Sequence, residues 1–181
     1  MMFLVAAAVC AVALGHTVHR SFRNGYSGER SVSKGEIEQA ASREIVGIVT
    51  RVSDGDTIWV TDAQRIRHKI RLLDIDAPES SQTFGGESTA RLKALVGGKS
   101  VRVTYAERDQ YGRVLGTVWL NGADINLQMV REGMAWCYHY AKNERYAAAQ
   151  SAARTRKVGL WADPNAQDPW AYRKAQKGWG R

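Results

Sequence analysis

The sequence has few of the residues that would form a disulfide or hold a soft metal. Among its 181 residues there are two cysteines and four histidines, and they form no cysteine–histidine cluster with the spacing of a zinc site. Cys10 lies in the apolar N-terminal segment, so loss of that segment would leave Cys137 without an internal disulfide partner. Stability is therefore expected to come from a hydrophobic core. The absence of an extended apolar helix or coiled-coil heptad pattern predicts a monomer with no protein partner.

Residues 1–15 are apolar, rich in small side chains and free of lysine and arginine. This is the length of a signal-peptide core and is short for a membrane span. Ala13-Leu14-Gly15 fits a small-x-small cleavage site, which predicts export to the periplasm or the medium. Because the first residues carry no basic side chain, an uncleaved anchor in the membrane is the alternative. Residues 16–42 are polar without sustained periodicity and are interpreted as a flexible tether.

The chain is strongly basic, with a formal charge of +8 and a pI of about 9.7. Residues 142–181 alone contain nine Lys and Arg against three Asp and Glu. Such a surface attracts polyanions in a salt-dependent way. Residues 163–181 are interpreted as a basic, aromatic C-terminal tail. Its Trp170 and Tyr172 either cover apolar surface or contact nucleic acid by stacking.

Periodicity between these two ends predicts an α+β domain over residues 43–162. Apolar and polar residues alternate in five short segments, 45–49, 57–60, 65–72, 101–105 and 114–119, as in half-buried strands. Apolar residues recur at helical spacing in 87–96, 123–131 and 146–157. Five strands with a helix inserted after the third match an OB-fold, a five-stranded Greek-key β-barrel here carrying three helices.

Three segments contain the polar residues on which the chemistry is predicted to depend. They are Ser53-Asp54-Gly55-Asp56-Thr57, Arg71-Leu72-Leu73-Asp74-Ile75-Asp76-Ala77-Pro78-Glu79 and Asp109-Gln110-Tyr111-Gly112-Arg113. Carboxylate oxygens concentrated in this way favour Ca²⁺ or Mg²⁺ over a soft metal. Arginines beside a hard-metal site favour an anionic substrate, most simply a phosphate. Together these residue types indicate a metal-assisted phosphodiesterase.

The same segments, in this order, resemble the staphylococcal nuclease (thermonuclease) family. Gly159-Leu160-Trp161 is also similar to the closing segment of that family, so the resemblance covers roughly residues 44–161. It implies an OB-fold and an exported bacterial enzyme that depends on Ca²⁺. The implied activity is hydrolysis of DNA and RNA, single-stranded or locally opened, with little sequence specificity and with 3′-phosphate products.

Asp56 and Asp76 are the predicted metal carboxylates, since each lies where a strand meets a turn. The resemblance adds the backbone carbonyl of Ala77, and waters and a phosphate oxygen would complete the shell that Ca²⁺ prefers. By the same resemblance, Glu79 orients or deprotonates the attacking water. Pro78 restricts the backbone before Glu79 and so helps to aim its carboxylate.

Arg71 and Arg113 are the predicted phosphate contacts, because guanidinium groups neutralise charge on phosphorus oxygens without titrating. The resemblance implies that Tyr111 and Tyr138 approach the terminal phosphate and the base of the bound nucleotide. Tyr140 is predicted on the same side of an extended segment as Tyr138. It either contacts the nucleotide or lines the edge of the barrel.

Some residues depart from the family pattern. Gln110 replaces a lysine of the family's type member, residues 80–86 form a shorter loop, and Asp74 adds a carboxylate to the Arg71–Asp76 run. Asp54 is interpreted as a hydrogen-bonded turn residue. The alternative function is a non-catalytic OB-fold module that binds nucleic acid and is tethered to the membrane. Retention of the five predicted catalytic and metal side chains favours the enzyme.

Overall fold

The computed structural model describes residues 43–178. In it, the segments in which apolar and polar residues alternate form strands, and the segments with helical spacing form helices. The strands are Arg43–Asp54 (β1), Thr57–Asp62 (β2), Arg67–Leu72 (β3), Ile75–Asp76 (β4), Ser100–Arg108 (β5), Val114–Leu120 (β6), Ala123–Asp124 (β7) and Trp136–Cys137 (β8). The helices are Gly85–Val96 (α1), Ile125–Arg131 (α2), Glu144–Thr155 (α3) and Pro169–Gly178 (α4), with a 3₁₀ helix at Gly159–Ala162.

The predictions for residues 1–15 and 16–42 lie outside the described residues and stay predictions. Between residues 43 and 178, no helix is long and apolar enough to cross a membrane.

Five strands close into a barrel. Their order is β3-β2-β1-β5-β6, with every neighbouring pair antiparallel, and β3 then pairs in parallel with β6. This last pairing sets Ile70 beside Val114 and Leu72 beside Gly116. Because closure leaves no free edge between β3 and β6, the barrel protects its backbone hydrogen bonds. The closed five-stranded α+β barrel confirms the predicted OB-fold.

The barrel interior is filled by aliphatic side chains that point inward from alternate positions of the strands. Ile58, Val60, Ile70, Leu72 and Val103 are completely buried. Each such side chain stabilises the fold by about 1.5–3 kcal/mol relative to exposure. α1 and α2 close the core with Leu92, Val96, Ile125, Leu127, Met129 and Val130.

Irregular pairing in two strands lies next to the loops that carry polar motifs. The register of β1 shifts between Val49 and Arg51 and again between Val52 and Asp54, just before the first acidic turn. β5 shifts between Tyr105 and Glu107, just before the Asp109–Arg113 turn. Such bulges increase strand twist and redirect the chain that follows. Both loops consequently reach the same cavity.

Two expectations differ from the structure. The segment from Trp136 to Tyr140 is a strand only at Trp136–Cys137, after which the chain turns. A fourth helix, α4, occupies most of the predicted C-terminal tail. Its start is stabilised by the Asp168 carboxylate, which accepts a hydrogen bond of 3.1 Å from the Ala171 backbone N–H, and Pro169 takes the first helical position.

A buried amide connects α2 to the barrel. Asn126 is completely buried, and its Oδ1 accepts a hydrogen bond from the Val118 backbone N–H at 3.1 Å. Its Nδ2 donates to the carbonyls of Leu73 at 3.0 Å and Gly116 at 3.1 Å. The side chain therefore fixes the loop after β3, β6 and α2 relative to one another.

Replacement of Asn126 by alanine should lower the free energy of unfolding by about 2–3 kcal/mol, because the buried Val118 N–H loses its acceptor and the carbonyls of Leu73 and Gly116 each lose a donor. Urea denaturation followed by circular dichroism measures this change. The exposed Asn165 provides the control, and Asn165→Ala should change stability by less than about 0.5 kcal/mol. Equal unfolding midpoints for the two variants would contradict the role given to Asn126.

Candidate active site

A cavity of about 760 Å³ lies where the loops after β1, β3 and β5 meet. Of the nine predicted site residues, eight line it: Asp56, Arg71, Asp76, Ala77, Glu79, Tyr111, Arg113 and Tyr138. The ninth, Tyr140, does not line the cavity. Its side chain is 69% exposed and packs against His139, with ring centroids 3.9 Å apart. The sequence prediction therefore assembled one site, and Tyr140 alone falls outside it.

The first acidic turn is held by Asp54, whose Oδ1 accepts a hydrogen bond of 3.0 Å from the Asp56 backbone N–H. Gly55 is buried between the turn and α1. A Cβ at this position would lie 2.7 Å from the Ala77 Cβ and would collide with Ser88. Close approach of the two chain segments thus requires glycine, and it brings Asp56 next to Ala77.

Asp56 and Asp76 converge on one guanidinium nitrogen. Arg71 Nη2 lies 3.1 Å from Asp56 Oδ2 and 3.1 Å from Asp76 Oδ1. Asp56 Oδ2 also accepts a hydrogen bond of 2.8 Å from the Ala77 backbone N–H. Both carboxylates are buried, with 7% and 3% of the residue surface exposed. Two buried carboxylates beside one arginine form the centre of the site.

Backbone carbonyls hold Arg71 in place. Its Nη1 donates to the carbonyl of Leu72 at 2.6 Å and to that of Ile75 at 2.8 Å. These contacts fix the loop between β3 and β4 around the guanidinium. The planar five-donor group satisfies carbonyls and carboxylates at once, which lysine would not do.

Glu79 is ion-paired to an arginine that the sequence analysis did not assign to the site. Arg173 of α4 donates from Nη1 to Glu79 Oε1 at 2.7 Å. The same guanidinium contacts Asp76, with Nη2 2.7 Å from Oδ2 and Nη1 3.1 Å from Oδ1. Arg173 therefore bridges a predicted metal carboxylate and the predicted base.

Arg113 is oriented by Asp109. The Asp109 Oδ2 accepts a hydrogen bond of 2.7 Å from Arg113 Nε, and Oδ1 accepts from the backbone N–H groups of Tyr111 and Arg113 at 2.9 Å each. Burial raises the pKa of Asp109, but the hydrogen bonds from Arg113 and Tyr111 outweigh it and lower that pKa below its usual value. An ionised Asp109 thus holds the turn and the arginine together.

Tyr138 reaches the cavity because β8 pairs with β4, which sets Trp136 opposite Asp76. The Tyr138 backbone N–H then donates to the carbonyl of Asp74 at 2.9 Å. Asp74 itself lines the cavity, and its left-handed backbone, with φ of 62°, shapes the turn. Burial, and then the charge of Asp124, raises the pKa of the Asp74 carboxyl.

Burial also raises the pKa of two carboxyl groups of the cavity, those of Asp54 and Asp76. Desolvation, followed by the charge of Asp56, raises the pKa of Asp54 to about 6. Desolvation raises the pKa of Asp76 as well, although the hydrogen bond from Arg173 and the charges of Arg71 and Arg173 act in the opposite direction. A cation in the cavity would favour the ionised form of both groups.

The residues present fit a hard divalent cation. Six carboxyl groups line the cavity against three guanidinium groups, so acid is in excess: Asp54, Asp56, Asp74, Asp76, Glu79 and Asp109 against Arg71, Arg113 and Arg173. Over residues 43–178 no three His, Cys, Asp or Glu side chains converge as a ready metal cage. A cation held by Asp56 and Asp76 would thus need further oxygen donors from the backbone, water or substrate, as hard cations commonly do.

Two residues of the cavity, Asp109 and Arg173, were given no role by the sequence analysis. Asp109 stood inside a quoted motif, and its spacing of four residues from Arg113 is the available signal. For Arg173 the available signal is the Asp168-Pro169 pair, which is typical of a helix start. That signal predicts α4 but not the side chain's position in the site.

Fold and site together define the class: a closed OB-fold barrel whose cavity combines carboxylates and arginines as a phosphodiester hydrolase would. Residues 69–163 match the family model described as staphylococcal nuclease homologue. The chain belongs to the staphylococcal nuclease family and is assigned as a nuclease.

Relatives of similar length support this assignment. An Escherichia coli protein named uncharacterized endonuclease is 47% identical over 132 residues, which are 72% of this chain and 86% of the relative. A Shigella flexneri protein named micrococcal nuclease is 45% identical over 144 residues, covering 72% of this chain and 82% of the relative. A Haemophilus influenzae protein named uncharacterized endonuclease is 42% identical over 130 residues, covering 71% and 73%.

Asp109→Asn should lower nuclease turnover about tenfold to a hundredfold, because the amide nitrogen replacing one oxygen no longer accepts from Arg113 Nε. The remaining oxygen still accepts from the backbone, so the melting temperature should change little. Initial rates on a single-stranded oligonucleotide, with thermal melts in parallel, measure both effects. A variant that loses stability but keeps its turnover per folded molecule would show that Asp109 is only structural.

Proposed function

We propose that this nuclease depends on Ca²⁺ and hydrolyses DNA and RNA with little sequence specificity, leaving 3′-phosphates. The observation that carries the proposal is the convergence of Asp56 and Asp76 on Arg71 Nη2, each at 3.1 Å. Glu79 and Arg113 line the same cavity. The family assignment supports the same reaction.

Asp56 and Asp76 would hold the Ca²⁺, with the carbonyl of Ala77 as a further hard oxygen ligand. When bound, the ion polarises the scissile phosphate and lowers the cost of bringing a water close to phosphorus. The structure supports this assignment through the two buried carboxylates and the raised pKa of Asp76, whose first cause is burial. A directly bound cation would stabilise the ionised form of such buried acids.

Arg71 and Arg113 neutralise the negative charge that builds on the phosphorus oxygens. Arg71 lies near the end of β3 and Arg113 in the loop after β5, and both line the cavity. Arg113 is ion-paired to Asp109 through Nε, an arrangement that leaves its two terminal nitrogens for a bidentate contact with phosphate. Because these contacts strengthen as charge develops, they raise the rate more than they tighten substrate binding.

Glu79 accepts a proton from the attacking water, or orients that water, and the 5′-oxygen leaves. Its side chain is 40% exposed, so it is accessible to solvent. Its backbone is fixed by Pro78 before it and by Gln82, whose backbone N–H donates to the Glu79 carbonyl at 2.9 Å. A positioned base of this kind contributes about 10²- to 10⁴-fold.

Broad substrate use follows from the aromatic residues at the cavity. Tyr111 is 75% exposed and Tyr138 lines the opening. Both offer ring faces on which any base stacks, so they give little sequence preference. The net charge of +8 attracts the polyanion irrespective of its sequence.

The test is hydrolysis of single-stranded DNA and of RNA by the full chain with Ca²⁺, with Mg²⁺ and with EGTA. We expect cleavage of both with Ca²⁺, 3′-phosphorylated products and no activity in EGTA. Activity retained in EGTA would refute the metal dependence. Binding without cleavage under every condition would instead establish a non-catalytic nucleic-acid-binding module.

Glu79→Gln should reduce kcat by about 10²- to 10⁴-fold with Ca²⁺ present, because the amide no longer accepts the proton. Asp54→Asn is the matched control, since it also removes one carboxylate near the cavity but keeps an oxygen for the Asp56 backbone N–H. Its effect should appear mainly in stability. Similar losses of kcat in the two variants would refute the role of Glu79.

A further inference from the structure

We propose that α4 is an internal strap whose Arg173 competes with the divalent cation for Asp76 and Glu79. The inference rests on the proposed function, since it concerns the same metal carboxylate and the same base. In the strapped arrangement the guanidinium occupies oxygens that the working site needs. Ca²⁺ binding must displace it.

The contacts of Asp76 show the competition directly. Oδ2 accepts from Arg173 Nη2 at 2.7 Å, and Oδ1 accepts both from Arg173 Nη1 and from Arg71 Nη2 at 3.1 Å. A carboxylate offers about four lone-pair positions, so three of them are already used. The remaining position is on Oδ2, next to Arg173 Nη2, so a cation bound there would lie within a few ångströms of the guanidinium and be repelled by its charge. Arg71 belongs to the centre of the site, and Arg173 is therefore the contact that gives way.

The same guanidinium also restrains the predicted base. Arg173 Nη1 donates to Glu79 Oε1 at 2.7 Å. The Glu79 oxygen held in this way is occupied by the guanidinium and is not available to contact a water. One arginine thus occupies oxygens of the metal carboxylate and of the predicted base together. Release of Arg173 would free both.

The part of α4 that carries Arg173 is attached mainly by polar contacts. The Tyr172 hydroxyl donates to the Ser81 carbonyl at 3.2 Å and lies 3.0 Å from the Ser81 hydroxyl. Gln82 Nε2 donates to the Gln167 carbonyl, just before the helix, at 2.6 Å. The start of the helix is held by the buried Pro169 and by Trp170, whose ring centroid lies 5.3 Å from that of His139. Hydrogen bonds between partly exposed groups add little net stability, so the turn with Tyr172 and Arg173 can be released while the start of the helix stays packed.

The strap is anchored on the segment that carries the base. Ser81 and Gln82 follow Glu79 in one tight turn, which the Gln82 side chain reinforces by accepting from the Glu79 backbone N–H at 3.2 Å. Displacement of Arg173 by a cation would therefore disturb the hydrogen bonds between Tyr172 and Ser81. Loss of the Tyr172 contact should, in turn, weaken the hold of Arg173 on the site.

Calorimetric titration of Ca²⁺ into the metal-free full chain, without nucleic acid, tests the proposal. Arg173→Ala should lower the Kd for Ca²⁺ about tenfold relative to the unaltered chain, because it removes a partly exposed guanidinium group that competes with the ion through both of its terminal nitrogens. Lys174→Ala removes an equal charge from the next, exposed position of α4 and should leave the Kd within about twofold. Tyr172→Phe should lower the Kd in the same direction by a smaller factor, since it loosens α4 and keeps the guanidinium.

An unchanged or weaker Ca²⁺ affinity in Arg173→Ala would overturn the competition. It would leave Arg173 as a third phosphate contact, and cleavage by the unaltered chain with Ca²⁺ would then keep the proposed function intact. A lower Kd in Arg173→Ala together with an unaltered Kd in Tyr172→Phe would overturn the strap. Absence of Ca²⁺ binding and of cleavage in every variant would refute the proposed function and this inference together. Thermal melts confirm that each variant is folded.

Discussion

The site depends on the carboxylate of Asp56, which binds three chain segments at once. Its Oδ1 accepts from the Thr57 hydroxyl at 3.0 Å, and its Oδ2 accepts from the Ala77 backbone N–H at 2.8 Å and lies 3.1 Å from Arg71 Nη2. The turn after β1, the arginine of β3 and the segment after β4 are therefore fixed to one another. This arrangement places the two carboxylates side by side on one guanidinium, so the backbone around them needs little rearrangement when a cation binds.

Burying carboxyl groups together is costly unless cations compensate them, and this constraint accounts for the arginines. Each guanidinium group forms ion pairs with one or two of these carboxylates. Arg71 pairs with Asp56 and Asp76, Arg113 with Asp109, and Arg173 with Asp76 and Glu79, so Asp76 is shared by two arginines. A phosphate entering the cavity must draw on guanidinium groups that are already paired. In the proposed mechanism, a divalent cation at Asp56 and Asp76 would take over the compensation of these carboxylates and so free an arginine for the substrate.

Local sequence patterns predicted the barrel, and eight of the nine residues predicted for the site line one cavity of the structure. Two short motifs contain Asp56, Arg71, Asp76 and Glu79, and apolar and polar residues alternate regularly in the strands around them. The pairing of β2 with both β1 and β3 brings the two motifs together. Tyr140 packs edge-on against Tyr138, with ring centroids 5.6 Å apart, but it lies outside the cavity because the chain turns after Cys137, so its contact with a nucleotide stays a prediction.

Arg173 shows where local patterns stop being informative. The Asp168-Pro169 pair marks the start of α4, but docking of that helix depends on contacts with Ser81 and Gln82, some ninety residues earlier in the chain. No periodicity within residues 163–181 encodes this long-range packing.

The charges of the protein act on a strand at two distances. Exposed arginines such as Arg51, Arg67 and Arg102 attract a polyanion across a Debye length of about 8 Å. At contact distance, the cavity instead presents more carboxyl groups than guanidinium groups. Salt should therefore weaken capture of the strand, whereas the proposed cation, by offsetting the acid excess of the cavity, would act on the step from capture to cleavage.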